Sequence, residues 1–454
     1  MRRVNSPPAT RTRGITDKTL QRLTRSGSMN STASEPSLGR RTGRNAIALL
    51  ACRVGADLLN FLLFLAVSRT FGPEGTGEYG YGFALAGLVY YAATLGIDEY
   101  GVREYGRLPS ERRPALIANL LGAQVCIALL VIVVLLGYLW ITKPSPQLLA
   151  IIVSMTIYQL GAAFSATLFV PAMAEQRMLP PAVINLLGRG SAFVITGVLI
   201  LVFHWSLYAA SAAFAGGGLL MFVLALRSAA SFKAHLRPNL TRQVVFDGAR
   251  TLWSFAATGL LGQLLNRIGV IALSLQVGEA AAGIYTTGLK LVEVACLPLV
   301  FIGVAAYPRL CQAFADPAGF QRLTRQALMI GFGLALVLAV AMYLAVPPLL
   351  VPVLGERFAG AEAIIAAMAA IVLAQGIEIV LGRLMLSANL NVARAIRIAL
   401  GTVVCVLLTV GLTPLFGIEA TIAALVCSYL LVDLLYFGNL FGALRRTSRT
   451  PEPV

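Results

Sequence analysis

Lys290 and Glu293 stand three residues apart in a run, 281–306, that holds no other charge. On a helix that spacing puts both side chains on one face, where ammonium and carboxylate can pair. At about 1.5 Å per residue, Lys290 lies roughly 14 Å from the start of the run, too deep to snorkel easily to either end. Arg267, in the run 250–275, has no acid within a turn of it. Arg53 and Asp57 sit four apart in 45–69, again one face of a helix. Glu378 and Arg383 fall in 360–387, Arg189 in 181–203, Arg397 in 395–416 and Asp433 in 418–441. A charge placed in hydrocarbon costs about 2.5–3.5 kcal/mol on insertion scales, so such groups face a protein interior or water. Two readings stand for the deeper ones: ion pairs that lock helices together, or a polar lining for a ligand. On the second, Lys290, Arg267 and Arg53 are cations for an anionic ligand, and Asp57, Glu293 and Glu378 are charge partners or ion-coupling groups. By position along their runs, Arg189, Arg383 and Arg397 read as headgroup anchors, and Asp433 as bonded to a neighbouring hydroxyl.

Other chemistries are missing. None of the four lysines follows a glycine, so there is no phosphate-cradling loop ending in Gly-Lys-Ser/Thr. The two histidines, His204 and His235, lie in different connections, which excludes HExxH and Ser-His-Asp arrangements. The six cysteines form no CxxC pair and read as apolar packing residues. The longest connection on the side opposite the termini, about 347–359, holds the single acid Glu356. An enzyme is not expected, and neither is a metal or organic cofactor.

The elements that position these residues follow from composition. The chain is 58% apolar and 12% charged, against roughly 25% charged in soluble domains. Apolar runs long enough for a hydrocarbon core of about 30 Å recur at 45–69, 79–100, 115–141, 147–170, 181–203, 206–226, 250–275, 281–306, 327–346, 360–387, 395–416 and 418–441. The fold class is therefore an all-α polytopic membrane protein of about twelve spans. Net charge is +16, but the basic residues crowd the tails and every second connection. Connections on the side of the termini carry Arg103, Arg107, Arg112, Arg113, Arg177, Arg309, Arg322, Arg325 and Arg394 among others, while the opposite side carries Lys143 and Arg357, with Arg69 at a span edge. That bias places both termini in the cytoplasm, facing anionic phospholipid, and no nucleic-acid motif accompanies the charge.

The chain also repeats. At an offset of 206 residues, Leu58, Leu59 and Asn60 meet Leu264, Leu265 and Asn266, Gly72 and Gly77 meet Gly278 and Gly283, and Tyr79 meets Tyr285. The shared pattern G-x4-G-x-Y marks a turn between the first two helices of each half. Both halves start on the same side, so the repeat is parallel and the simplest architecture is two pseudo-symmetric six-helix bundles. The expected divisions are a disordered basic tail over 1–44, a lobe over 45–226, a linker over 227–249, a second lobe over 250–441 and a tail over 442–454. Lys290, Glu293, Arg267 and Arg53 meet Ala84, Gly87, Phe61 and Gly259 at this offset, so the turn is duplicated and the charges are not.

The turn FGPEGTGEYG (Phe71–Gly80), followed by LGIDEYGVREYGR (Leu95–Arg107), resembles the polysaccharide-transport, or oligosaccharide-flippase, family. That family belongs to the superfamily of multidrug, oligosaccharidyl-lipid and polysaccharide exporters. The resemblance runs from about residue 44 through nearly the whole chain. It implies flipping of an undecaprenyl-pyrophosphate-linked oligosaccharide across the bacterial inner membrane, for O-antigen, exopolysaccharide or capsule assembly. It also implies a cationic cleft, an ion gradient or membrane potential as energy source, and polymerase machinery as a partner. The drug-exporting branch shares the architecture but needs acids deep in the cleft, whereas mid-span bases here at least match acids. A membrane enzyme or assembly scaffold is disfavoured by the missing loops and motifs. Topology is directly measurable: a cysteine placed at Ser145 or Gly355 should react with an impermeant maleimide in intact cells, and protection of either overturns the twelve-span arrangement.

Overall fold

The apolar runs fold as helices. The computed structural model describes residues 35–232, 237–239, 242–314, 316–388 and 390–447, with side chains described except at 35–51, 53, 242–258, 308, 317 and 443–447. The helices are α1 (Glu35–Thr94), α2 (Ile97–Arg107), α3 (Arg113–Thr142), α4 (Pro146–Leu168), α5 (Val170–Ala174), α6 (Leu179–Leu201), α7 (Leu207–Ala210), α8 (Ala212–Ser231), α9 (Arg242–Gln276), α10 (Glu279–Ala313), α11 (Pro317–Leu354), α12 (Glu362–Ala367), α13 (Ala369–Ser387) and α14 (Asn391–Thr447). No strand occurs among the described residues. Met1–Ala51 forms one compact unit and Cys52–Val454 another. Of the tail expected over 1–44, residues 1–34 lie outside the described residues, and 35–44 are helical rather than irregular.

Nine stretches among the described residues are long and apolar enough to cross a membrane. Two of these, Val54–Arg107 and Asn391–Gly442, each hold two passes. Their helices fold back at Gly72 (φ 70°) and Gly417 (φ 63°), in backbone conformations that a Cβ disfavours. Counted as two passes each, and with α9 added, they make up the twelve passes of the sequence reading.

In the first half, α4, α6 and α8 pack on α1 through Phe64, Tyr79, Tyr158, Phe193 and Phe214. In the second, α9, α11, α13 and α14 pack around Phe320, Leu384, Ile398 and Tyr436. A linker residue ties back to the first half. Asn239 donates from its backbone to the Ala118 carbonyl at 2.9 Å and from Nδ2 to Asn119 Oδ1 at 2.8 Å.

The halves meet at the end that carries the duplicated turns. A Cβ on Gly77 would overlap the carbonyl of Glu279, and a Cβ on Gly283 the carbonyl of Pro73. Pro73 and Glu279 are themselves 206 apart, so the two contacts are related by the repeat. One helical turn further, a Cβ on Gly80 would lie 3.0 Å from Thr286 Cβ. The largest core joins both halves here, with Tyr81, Ala84, Leu139 and Ile152 from the first and Leu273, Tyr285, Leu289 and Met368 from the second. Towards the opposite end, the described cores are specific to one half.

Beside this seam Glu74, Glu78 and Glu279 line a cavity of about 510 Å³. In these turns, burial first, then the Glu279 and Glu74 charges, push the Glu78 carboxyl above its ordinary value. Burial raises that of Glu279 against a hydrogen bond from Ser274. A raised carboxyl favours its neutral form, so the closed seam is favoured at acid pH and loosens as pH rises through the carboxylate range. Gly80→Cys with Thr286→Cys should therefore cross-link on mild oxidation, since the two positions are in direct contact across the seam. At one neutral pH, Glu78→Gln should raise the yield and Gly283→Val should lower it; equal yields in all three backgrounds would contradict the seam.

Candidate functional site

Leaving the seam along α1 and α10, the next facing residues are Phe83 and Lys290. Lys290 Nζ donates to Glu293 Oε2 at 2.9 Å, the i,i+3 pair expected from spacing. Arg267, one helix earlier on α9, donates from Nη2 to Glu293 Oε1 at 2.7 Å. The acid that the sequence around Arg267 lacks thus comes from α10. Two cations share one carboxylate, leaving one net positive charge. Lys290 and Arg267 side chains are 7% and 12% exposed, whereas Glu293 is 39% exposed. Phe83 lies over both cations, its ring centroid 5.0 Å from Lys290 Nζ and 5.9 Å from Arg267 Cζ. Cation–π contacts contribute about 0.5–2 kcal/mol depending on desolvation. The first half thereby covers charges held by the second.

Behind Arg267 a neutral network fixes α9. Asn266 Oδ1 accepts from Tyr429 Oη at 2.7 Å and from Gln375 Nε2 at 3.4 Å. In the first half Asn60 Oδ1 accepts from Tyr79 Oη at 3.3 Å. The duplicated asparagine therefore has a different tyrosine in each half. Phe83, Gln375 and Tyr429 carry no sequence signal for this role, while Asn266 is visible in the repeat.

The other ionisable residues lie elsewhere. The Arg53 side chain is outside the described residues, so its pairing with Asp57 is not defined. Asp57 is half-buried and, with Tyr158, Tyr90 and Tyr91, is among the electrostatic neighbours of Arg189. Arg189 Nε is buried without a hydrogen-bond partner among the described residues. This corrects the headgroup reading of Arg189, whose Nε lies inside the protein. Glu378 Oε1 and Arg394 Nε lie 3.2 and 3.4 Å from where a Cβ on Gly382 would stand, with Arg383 as a further charged neighbour. Arg397 also buries its Nε. Neither oxygen of Asp433 has a partner among the described residues. That corrects the hydroxyl bond expected there, because Ser428 instead donates to the Ala424 carbonyl of its own helix. No cluster of three His, Cys, Asp or Glu able to hold a metal ion occurs among the described residues.

The family described as "Polysaccharide biosynthesis protein" matches residues 42–314. The chain belongs to that family. The match starts where the sequence resemblance does and includes both glycine turns and the Arg267–Glu293–Lys290 cluster. No curated protein matches the sequence. Among solved structures, an inward-facing multidrug resistance MATE family transporter of the MOP superfamily is similar at TM-score 0.69 and 13% identity, covering 90% of this chain and 100% of that one. The lipid II flippase MurJ in an inward closed conformation gives 0.66 at 11% identity, over 88% and 90%. An outward-facing MATE family transporter gives 0.55 at 14% identity, over 90% and 96%. The fold of this family member is thus that of polytopic transporters and flippases, and its arrangement is more similar to the inward-facing example than to the outward-facing one.

The cluster's internal balance is testable. Glu293→Gln leaves two buried cations sharing no counter-charge, and breaking a buried pair costs about 3–5 kcal/mol. Because Glu293 is 39% exposed, the low end of that range applies, read as a lower melting temperature of the purified protein. An unchanged melting temperature would show that water, not Glu293, neutralises the cations.

Proposed function

We propose that this protein flips an undecaprenyl-pyrophosphate-linked oligosaccharide from the inner to the outer leaflet of the bacterial cytoplasmic membrane by alternating access. Membership of the polysaccharide biosynthesis family supports the substrate class. The surplus positive charge of the Arg267–Glu293–Lys290 cluster, at the meeting of the two halves, is the observation that carries the mechanism. A pyrophosphate is a double anion with several acceptor oxygens, suited to charge-assisted bonds from a guanidinium and an ammonium. With both termini cytoplasmic, the glycine seam closes the outer end, and the present arrangement receives substrate from the inner leaflet. Arrival of the pyrophosphate draws one cation away from Glu293. That exchange weakens the cover of Phe83 and lets the halves re-pivot. Arg53 is a further cation of the same path, and Asp57, Glu293 and Glu378 are the acids through which an ion gradient would act. The polymerase machinery would take the flipped unit onward. A multidrug exporter of the same architecture is the competing assignment, and the cationic balance of the cluster argues against it.

Arg267 alone can still pair Glu293 when Lys290 is removed, so Lys290→Ala orphans no carboxylate. It removes only the surplus charge. A charge-assisted contact contributes on the order of 1.5–3 kcal/mol, so Lys290→Ala should weaken pyrophosphate-lipid binding roughly ten- to a hundredfold at normal protein levels, with partial recovery in Lys290→Arg. Deletion of the gene should abolish a surface polysaccharide while its lipid-linked unit accumulates inside. Normal polysaccharide in the deletion strain, with no second flippase present, would refute the assignment.

A further inference from the structure

A groove of about 470 Å³ opens beside the cluster, within the usual range for small-molecule sites of about 300–1,000 Å³. Its walls are Phe61 and Phe64 of α1, Leu291 and Val294 of α10, and Met342 and Leu349 of α11 with their neighbours, every one apolar. Leu291 follows Lys290 directly and Val294 follows Glu293, so the groove and the charges occupy adjoining faces of the same two helical turns. One wall belongs to the first half and two to the second, which sets the groove on the line where the halves separate. Pro347, Pro348 and Pro352 lie within α11 beside Leu349. Each removes a backbone hydrogen-bond donor from the helix.

We propose that this groove holds the head-proximal part of the isoprenoid chain of the transported lipid, while Lys290 and Arg267 hold its pyrophosphate. The inference rests on the flippase reading above. Sugar or headgroup cannot lodge there, because no lining side chain offers a hydrogen bond. A chain entering the groove leads its own head onto the cations one residue away, a coupling that an unrelated acyl chain in the bilayer lacks. Since bilayer hydrocarbon is as apolar as the groove, selectivity comes from packing of the branched chain and not from the hydrophobic effect. The expected discrimination is therefore modest, about tenfold.

Three probes with a common head separate the contributions: undecaprenyl pyrophosphate, straight-chain hexadecyl pyrophosphate and inorganic pyrophosphate, each bound to the purified full-length protein. Ala341→Phe and Ala345→Phe fill the groove. They should weaken undecaprenyl pyrophosphate binding about tenfold, hexadecyl pyrophosphate binding distinctly less, and leave inorganic pyrophosphate unchanged, with melting temperature and elution volume confirming a folded protein. If Lys290→Ala weakens all three probes but the groove variants affect none, or affect both lipids alike, the isoprenoid site is overturned and the flippase reading survives. If Lys290→Ala alters no probe, the flippase reading fails and the groove assignment with it. A photoreactive benzoylphenylalanine at Leu349, which is exposed, gives an independent readout. It should capture undecaprenyl pyrophosphate in the presence of excess phospholipid, and capture of phospholipid alone would overturn the proposal.

Discussion

The approach of two backbones at Gly77 and Gly283 sets the register of everything between the halves. With no Cβ at either position, the carbonyls of Glu279 and Pro73 come into direct contact with the opposing turn. That contact lays the second pass of the first half along the second pass of the second half. Gly80 then meets Thr286, Phe83 meets Lys290, and Gly87 comes within reach of Gln263. A side chain at either glycine would part the helices and carry Phe83 off the cations. The chemistry of the cluster thus depends on a steric fact one or two helical turns away.

Within that frame the cluster is unbalanced by design of its spacing. Glu293 can satisfy Lys290 on its own helix or Arg267 on the neighbouring one, and in this arrangement it does both. Neither cation is surrendered to water, and neither is fully neutralised. An apolar groove starts at the next residue along α10, so a charged and a greasy environment meet within about one helical turn. Amphiphiles have that same division between head and chain.

Most of the architecture was legible in the sequence because a bilayer imposes length and apolarity on each pass, and the glycine turns announce the repeat. Lys290 with Glu293 was legible for a similar reason, since i,i+3 spacing on a helix is a local rule. The partner of Arg267 was not, because Glu293 is 26 residues away and only the packing of α9 on α10 brings them together. Phe83 over the cations, Tyr429 on Asn266 and the tyrosine setting of Arg189 are likewise products of tertiary packing. Arg189 was misread because position along an apolar run gives depth but not azimuth, and Asp433 because a hydroxyl near it in sequence, Ser428, bonds a carbonyl of its own helix. A residue near one end can still point inward, as Arg189 Nε does.

A seam built from two absent side chains makes few demands on the rest of the sequence. It asks for glycine at two turns and for small or accommodating neighbours, and leaves lipid-facing positions free to exchange one apolar residue for another. Such a fold can drift far without losing its pivot. A shared fold at a TM-score of 0.69 with only 13% identity is in keeping with that tolerance.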